Sequence, residues 1–274
     1  MIITVLGSCA NQISNREGVS ILFEDGNDNL LVDCGPGIVA AFGRACRKTS
    51  DINNLLLTHV HGDHISGFAY FVWNRNFERM GAEPANDLHV YGAKDTLSLA
   101  EFSLKHSYPE LNFPFKIIYH EISNKRGKGI IQTDTEEEIS NERAEVFNCG
   151  GLVVNTEQAK HAVPCISCAV KCGNKLAVYT SDTLPNSNLA SYKDADLLIH
   201  EGMMINAMAQ LSDKVKHSLS SQAGRFATQI KAKHLALVHI APGLLGKEKV
   251  LLGEAKVEFN GTISIPFDGT VYCI

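Results

Sequence analysis

The sequence predicts a β-sandwich flanked by helices, and two observations carry this prediction. Short apolar runs of β-prone residues recur in both halves of the chain, for example at residues 2–6 and 196–200. Stretches with helical spacing of apolar residues lie between them, such as residues 38–47, where Ile38, Phe42 and Cys46 share one face. Strands and helices mixed in both halves are typical of two packed sheets that are covered by helices.

The elements of this sandwich can be located from apolar runs and turn signals. The turn Gly35-Pro36-Gly37, for example, separates an early strand from the first helix. A buried strand at residues 55–57 delivers His59 near its carboxyl end, where α/β sheets usually place their chemistry. The predicted strands are 2–6, 19–23, 30–32, 55–57, 88–91, 151–154, 167–171, 176–180, 196–200 and 235–239. The predicted helices are 38–47, 66–80, 93–102 and 218–231.

Length and composition are those of an ordinary globular protein. The chain has 274 residues, of which 45% are hydrophobic and 20% charged. We expect one domain over residues 1–274, with a polar surface insertion around residues 123–143 that holds Lys125-Arg126-Gly127-Lys128-Gly129 and Glu136-Glu137-Glu138.

Charge and cysteine usage restrict the compartment and the partners. No apolar run reaches 18 residues, so no membrane span is expected, and the N-terminus lacks the basic region of a signal peptide. The net charge of −5 gives no global attraction to nucleic acid, although a local basic patch stays open. The eight cysteines form no regular framework, which favours reduced thiols in a cytoplasmic protein.

The motif His59-Val60-His61-Gly62-Asp63-His64 packs three imidazoles and a carboxylate directly after the strand at 55–57. These are ligand types that zinc and neighbouring transition metals bind. In a tight loop, His59 and His61 can point one way while Asp63 and His64 point another, which would seed two adjacent metal sites. The alternative, a histidine-rich surface loop, is disfavoured because the motif follows an apolar strand and further candidate ligands lie downstream.

Two metal ions need about seven or eight ligands, so the hypothesis requires ligands outside this motif. Three candidates stand where predicted strands stop: His161, Asp182 in Ser181-Asp182-Thr183, and His239 after Ala236-Leu237-Val238. Glu201 and His217 are further candidates, and each has a structural alternative. Glu201 can be a capping or ion-paired residue at a strand end, and His217 can be a polar residue at a helix N-terminus.

Together these motifs resemble the metallo-β-lactamase superfamily, and within it the ribonuclease Z branch. The resemblance rests on Leu6-Gly7-Ser8, Leu31-Val32-Asp33-Cys34-Gly35, Thr58 to His64, Ser181-Asp182-Thr183, His200-Glu201 and His217-Ser218. It implies an αββα sandwich of two mixed sheets that are flanked by helices.

The resemblance also implies the division of the ligands between two divalent ions. His59, His61 and His161 would hold one ion, Asp63, His64 and His239 the other, and Asp182 would bridge them. Zinc is the expected metal, with manganese and iron(II) as alternatives. Asp63 would also orient the attacking hydroxide, and Glu201 would orient His217, which protonates the leaving oxygen. A homodimer is expected from the resemblance alone.

The chain departs from ribonuclease Z at one informative place. Enzymes of that branch that process transfer RNA precursors carry a clamping arm between the equivalents of His161 and Asp182, whereas only 20 residues separate these positions here. Two strands and the turn Cys172-Gly173-Asn174 use up that length, so the arm is missing. The substrate pocket must then be built from other segments, with the helix at 66–80 and the insertion as candidates.

Two other groups of residues favour structural interpretations. Cys165, Cys168 and Cys172 have spacing that invites a metal–sulfur interpretation, but they fall on a predicted strand pair where small apolar residues suit buried positions. Aromatic residues at 68, 70, 71 and 73 can bind a base or can pack in the core.

The predicted function is a metal-dependent hydrolase, with a phosphodiesterase of small or nucleotide substrates as the preferred activity. A hydroxide that bridges two divalent ions is a strong nucleophile at neutral pH. The acid at His217 favours a phosphodiester because an alkoxide leaving group benefits from protonation. Three alternatives stay open: a hydrolase of a lactone, thioester, carboxylic ester or sulfate ester, a ribonuclease Z-type endoribonuclease, and a non-catalytic metal-binding regulatory protein.

Overall fold

The computed structural model describes residues 1–11, 16–81, 83, 85–125, 128–132 and 147–274. The first half of the chain contributes seven strands: β1 (Ile2–Gly7), β2 (Ser20–Asp25), β3 (Asp28–Val32), β4 (Asn54–Leu57), β5 (Leu88–Gly92), β6 (Ile117–Lys125) and β7 (Lys128–Gln132). The second half contributes β8 (Phe147–Cys149), β9 (Leu152–Gln158), β10 (Ile166–Cys172), β11 (Lys175–Tyr179), β12 (Leu197–Glu201), β13 (His234–Val238), β14 (Thr262–Ser264) and β15 (Thr270–Cys273). The helices are α1 (Ile38–Arg44), α2 (Gly62–Ile65), α3 (Phe68–Phe77), α4 (Lys94–Ser107), α5 (Ala209–Val215), α6 (Ser220–Gln229) and α7 (Glu248–Glu258).

These strands form two mixed sheets, which confirms the predicted fold class. The first sheet has the order β15-β1-β2-β3-β4-β5-β6-β7 and the second the order β14-β13-β12-β11-β10-β9-β8. Strands β3 to β6 run parallel in the first sheet, and β11 to β14 run parallel in the second. The last strand, β15, pairs with β1, so the C-terminal end of the chain completes the first sheet.

Apolar side chains on both faces of the strands create the layers. In β3, Leu30 and Val32 join the core between the sheets, while Leu31 packs under the helices on the outer face. In β12, Leu197 and Ile199 face the other sheet, while Leu198 packs beneath the second helical layer. Continuous apolar runs therefore mark strands that are buried on both faces, as expected for sheets covered by helices.

The sequence prediction missed or misplaced several elements. The helix expected at 66–80 is present as the shorter α3, and the additional helix α2 precedes it inside the metal motif from Gly62. The helix expected at 38–47 ends at Arg44, and Cys46 adopts a positive φ of 53°. The elements β6, β8, α5, α7, β14 and β15 had no counterpart in the prediction.

The predicted polar insertion at 123–143 lies mostly outside the described residues. Strands β6 and β7 pair antiparallel at its start, with Glu121 opposite Gln132. Among the described residues, no helix is both long enough and apolar enough to span a membrane.

Candidate metal centre

The metal motif lies where parallel strands of the first sheet end. Strand β4 stops at Leu57, and His61 then caps α2 from an extended backbone conformation. The N–H of His64 donates to the carbonyl of His61 at 3.0 Å, which folds the motif into one compact turn. Gly35 lies against this turn, because a Cβ atom there would be 2.3 Å from the carbonyl oxygen of Asp63. The turn thus needs a glycine in the neighbouring loop.

His59, His61, His161 and Asp182 form the first group of candidate ligands. Their ligand atoms lie within 4.8 Å of one another. His61 Nδ1 is 3.0 Å from His59 Nε2 and 3.1 Å from His161 Nε2, and Asp182 Oδ2 is 3.5 Å from His59 Nε2. Ligand atoms about 2.0–2.2 Å from one zinc ion lie roughly 3.5 Å apart in a tetrahedral site. The spacing of this group therefore suits a small divalent ion.

Asp63, His64, Asp182 and His239 form the second group, which shares Asp182 with the first. His239 Nε2 is 3.2 Å from Asp63 Oδ2 and 3.3 Å from Asp182 Oδ1. His64 Nε2 is 3.5 Å from Asp63 Oδ2 and 3.4 Å from Asp182 Oδ1. Asp182 therefore presents Oδ2 to the first group and Oδ1 to the second, which is the arrangement of a carboxylate that can bridge two ions.

Two of the ligand atoms fit a metal because they are buried without hydrogen-bond partners. His64 Nε2 and Asp182 Oδ1 have none among the described residues, although both are fully enclosed. Buried polar atoms are otherwise almost always hydrogen-bonded. A ring nitrogen and a carboxylate oxygen that face each other without a hydrogen bond are expected where both bind the same cation.

Burial and mutual contact set the charges of this cluster. Burial lowers the pKa of His59 well below its ordinary value, and burial also lowers the pKa of His61 and His161. Burial alone would raise the pKa of the Asp182 carboxyl, but the neighbouring His239 helps to hold it well below its usual range. Neutral imidazoles around an ionised carboxylate are the protonation states that divalent transition metals require.

Asp33 supports the metal motif from beneath without belonging to either ligand group. Its Oδ2 accepts hydrogen bonds from His64 Nδ1 at 2.7 Å and from Thr58 Oγ1 at 2.9 Å, and its Oδ1 accepts from the Thr58 N–H at 2.8 Å. Burial alone would lower the pKa of His64, but Asp182 and Asp33 raise it well above its ordinary value. The two carboxylates thus attract positive charge to His64, and a divalent cation can supply it in place of a proton.

Glu201 and His217 adjoin the ligand groups and form an ion pair. His217 Nδ1 is 3.2 Å from Glu201 Oε1, which also accepts the Thr183 N–H at 2.6 Å. Burial raises the pKa of Glu201. Burial alone would lower the pKa of His217, but its hydrogen bond with Glu201 raises it. The His217 ring lies 4.9 Å from that of His161 and stacks 5.1 Å from that of His239, measured between centroids.

The aromatic residues after the metal motif divide between the core and the surface. Phe68 and Phe71 are fully buried beneath the outer face of the first sheet. Tyr70 is half exposed and stacks on Trp73, with ring centroids 5.5 Å apart. Core packing therefore accounts for two of these side chains, and the other two lie on the outside of α3.

The cysteines in the second sheet do not form a metal site. Cys165 and Cys168 are buried, whereas Cys172 is partly exposed at the far end of β10. Cys165 Sγ lies 3.6 Å from His59 Nδ1 and donates to Ser181 Oγ at 3.4 Å, so this thiol packs behind a ligand candidate. All eight cysteines are free thiols.

Sequence reasoning missed the residues that hold the candidate ligands through the backbone. His161 Nδ1 donates to the carbonyl oxygen of Lys216 at 3.0 Å. Ser212 in turn holds the backbone of His217. A backbone carbonyl leaves no residue-type signal, so only the fold could reveal these contacts.

The profile of the family described as "Anti-Pycsar protein Apyc1" matches residues 1–250. The chain belongs to the anti-Pycsar protein Apyc1 family. Ribonuclease Z from Thermoplasma acidophilum is also similar to this chain. The two are 27% identical over 93% of this chain and 90% of the ribonuclease.

Two solved structures are similar to this chain in fold. Human tRNase Z, short form, superposes with a TM-score of 0.79 and 21% identity over 100% of this Apyc1 family member and 99% of its own chain. The metallo-β-lactamase fold protein YhfI from Bacillus subtilis superposes with a TM-score of 0.76 and 23% identity, covering 99% and 98% of the two chains. The resemblance to the ribonuclease Z-like branch of the metallo-β-lactamase superfamily is confirmed, and this Apyc1 family member is a metal-dependent hydrolase of that fold.

Proposed function

We propose that this protein is a phosphodiesterase with a dinuclear metal site, acting on a small or nucleotide phosphodiester. The observation that carries the proposal is the position of Asp182, whose two oxygens face two separate groups of histidines. His59, His61 and His161 would bind one divalent ion, and Asp63, His64 and His239 the other, with zinc as the expected metal. Divalent ions at such a site lower the pKa of water and stabilise negative charge on a phosphoryl group.

The side chains around these ligands support a division of labour in the reaction. The Asp63 carboxylate is partly exposed and is held by His239 at 3.2 Å, so it can orient the attacking water and accept its proton. His217 Nδ1 faces Glu201, so Nε2 is the nitrogen that would donate a proton to the leaving oxygen. Because its hydrogen bond with Glu201 raises the pKa of His217, this ring can carry the proton that the leaving oxygen needs.

The second sheet supports a small substrate over a transfer RNA precursor. Between His161 and Asp182 the chain forms only β10, a tight turn at Cys172-Gly173-Asn174 and β11. Cys172 pairs directly with Lys175 across that turn, so no arm extends from it. The similarity to ribonuclease Z keeps endonucleolytic cleavage as the second candidate.

A substrate panel tests the proposal directly. The purified protein is stripped with a chelator, reconstituted with zinc, manganese or iron(II), and assayed on bis-(p-nitrophenyl) phosphate, linear dinucleotides and cyclic mononucleotides. Aryl esters, thioesters, aryl sulfates, lactones and a transfer RNA precursor complete the panel. We expect metal-dependent turnover of the phosphodiesters. Turnover of esters or lactones without phosphodiester hydrolysis contradicts the proposal, and efficient cleavage of the precursor alone supports the second candidate.

A comparison of leaving groups tests the acid role of His217. p-Nitrophenolate leaves without protonation, whereas the alkoxide of a nucleotide sugar does not. We expect His217→Ala to reduce hydrolysis of a nucleotide phosphodiester by about 100-fold or more, and that of bis-(p-nitrophenyl) phosphate far less. His106→Ala, on the exposed side of α4, is the matched control. Equal losses on both substrates would argue against proton donation.

Variants of the bridging carboxylate separate catalysis from a regulatory role. Asp182→Ala should abolish both bound metal and turnover, because both ligand groups lose a member. If cellular function survived that loss, catalysis would not be the role of the protein. The cytoplasmic location and the homodimer stay predictions, and light scattering on the purified protein tests the latter.

A further inference from the structure

The turn that closes α5 is held by one residue, Ser212, through its backbone carbonyl and its side chain. Its carbonyl oxygen accepts the backbone N–H groups of Lys216 and His217, the latter at 3.1 Å. Its hydroxyl donates to the carbonyl oxygen of His217 at 2.5 Å. Ser212 is only 1% exposed, so water does not compete for these bonds. Both polar backbone groups of His217 are therefore fixed by a single residue.

The same turn contacts two functional side chains of the candidate centre. The carbonyl oxygen of Lys216 accepts the Nδ1–H of His161 at 3.0 Å, and the adjacent residue, His217, faces Glu201. One short segment thus orients a candidate ligand of the first group and the candidate proton donor. A displacement of the segment would disturb both.

The contact with Lys216 determines which nitrogen of His161 is available to a metal. A carbonyl oxygen only accepts hydrogen bonds, so Nδ1 of His161 carries the proton and Nε2 keeps its lone pair. That Nε2 lies 3.1 Å from His61 Nδ1 and 3.8 Å from Asp182 Oδ2, on the ligand side of the ring. The second hydrogen bond of a histidine ligand commonly fixes its tautomer in this way.

The backbone of Lys216 is strained, which makes the role of Ser212 more important. Lys216 adopts a φ of 64°, in the left-handed region. This conformation is unfavourable for a residue with a side chain, so the surrounding bonds must hold it. Ser212 supplies these bonds. Its carbonyl oxygen accepts the N–H groups of Lys216 and His217, and its hydroxyl donates to the carbonyl oxygen of His217.

We propose that Ser212 is a positioning residue that couples the first metal ligand group to the proton donor. Its carbonyl oxygen holds the Lys216–His217 peptide, and its hydroxyl holds the next peptide at the carbonyl of His217. Together these bonds keep His161 presenting Nε2 to the metal while His217 faces the leaving oxygen. The part that concerns His217 rests on the proposed function. The part that concerns His161 depends only on metal binding.

Zinc titration of the full-length protein against a competing chelator tests the coupling. Loss of a hydrogen bond that orients a metal ligand typically weakens metal binding by 10- to 100-fold. We therefore expect Ser212→Ala to weaken one zinc equivalent at least 10-fold and to leave the other within about twofold, with kcat reduced and KM unchanged. Ser212→Thr keeps the hydroxyl and should restore both properties.

Three further variants separate the role of the hydroxyl from general stability. Lys216→Gly keeps the carbonyl and adopts a positive φ without strain, so its zinc affinity should stay within about twofold of the parent protein. Asp213→Ala, exposed on the same helix, is the matched control. If Ser212→Ala does not fold, Ser212→Cys tests the same bond with a weak thiol donor and should show a smaller loss in the same direction.

The outcomes distinguish this inference from the proposed function. If both zinc equivalents of a folded Ser212→Ala bind as in the parent protein, the coupling is wrong whatever the substrate. Weakening of both equivalents alike, together with a lowered unfolding temperature, would also overturn it in favour of a merely structural role. If one equivalent weakens but no phosphodiester is hydrolysed, the coupling to His161 stands and the proposed activity fails.

Discussion

At the scale of single residues, Asp33 is the carboxylate on which the geometry of the metal motif depends. It is fully buried and accepts hydrogen bonds from His64, from Thr58 and from the hydroxyl of Tyr179, the last at 3.3 Å. Thr58 Oγ1 in turn lies 3.0 Å from His59 Nδ1. Asp33 therefore supports one histidine of the second ligand group directly and one of the first group through Thr58.

Asp33→Asn should weaken metal binding although no candidate ligand is removed. The amide replaces one acceptor oxygen with a donor, so at least one of the buried donors around it loses its partner, at about 1–3 kcal/mol of stability. We expect a loss of about 10- to 100-fold in metal affinity, measured by chelator competition. Asp95→Asn, exposed in the first turn of α4, is the control. Parental affinity in Asp33→Asn would mean that the motif holds its shape unaided.

Glu201→Gln should change the pH dependence of turnover as well as its rate. His217 acts as an acid only while protonated, so activity falls as the pH rises through its pKa. The hydrogen bond with Glu201 raises that pKa, and an amide in place of the carboxylate removes the negative charge. The basic limb of the kcat profile should therefore shift to lower pH, with kcat at neutral pH reduced about 10- to 100-fold.

The matched control for this shift is a change remote from His217. Glu101→Gln lies on the exposed side of α4 and should leave the profile unmoved. A loss of activity in Glu201→Gln at every pH, without a shift of the basic limb, would show that Glu201 acts only through its hydrogen bond to the Thr183 N–H.

At the scale of elements, α3 is anchored to the first sheet by a buried arginine. Arg75 is 0% exposed, and its guanidinium donates to the carbonyl oxygens of Ile52 at 3.0 Å and Asn86 at 2.7 Å. The guanidinium also lies over the ring of Phe115, 4.5 Å from its centroid. Burial lowers the pKa of Arg75 to about 10, so the group stays charged at neutral pH. Arg75 thereby ties α3 to the loops that precede β4 and β5 of the first sheet.

Arg75→Met should destabilise the protein without touching the metal centre. The variant leaves the buried carbonyl of Ile52 and the partly buried carbonyl of Asn86 without this donor. We expect a loss of about 3 kcal/mol in the free energy of unfolding, measured in urea. Arg79→Met removes a half-exposed ion pair just past the C-terminal end of α3 and should cost about 0–1 kcal/mol. Zinc stoichiometry should be unchanged in both. Similar costs for the two variants would show that the buried contacts of Arg75 contribute little.

The elements that the sequence predicted and those it missed differ in burial. Strands such as β4 are continuous apolar runs because both of their faces are buried, and that pattern is visible in the sequence. Strands β14 and β15 are short and mostly half exposed, and Gly261 and Gly269 border them, so their signal is weak. The candidate ligands were predictable because they stand at strand ends and match a family pattern. The contact from Lys216 to His161 was not, since it depends on backbone conformation.

At the scale of the whole molecule, the candidate centre lies where the two sheets meet. His59, His61, Asp63 and His64 follow β4 of the first sheet, while Asp182 and His239 follow β11 and β13 of the second. Ser181 and His239 adopt positive φ values of 51° and 57°, so the chain turns sharply where the second sheet delivers these groups. A metal ion bound by both sets would cross-link the halves of the sandwich.

Metal removal should therefore lower the stability of the entire fold and not only abolish activity. A ligand that binds only the folded state adds about 3–4 kcal/mol when present at 100 to 1,000 times its dissociation constant. For a chain of this size, that corresponds to roughly 6–16 °C in the unfolding temperature. We expect the chelated protein to unfold at lower temperature, and the unfolding temperature to rise with zinc concentration. Calorimetry on the full-length protein measures both.

One variant tests whether Asp182 links the two sheets through bound zinc. Asp182→Ala removes the carboxylate that faces both ligand groups, so zinc should no longer raise its unfolding temperature appreciably. Asp95→Asn should respond like the parent protein. If zinc stabilised Asp182→Ala as strongly as the parent, the bridging carboxylate would not carry the cross-link, and the remaining ligands, which include His161 and His239 of the second sheet, would account for the stabilisation.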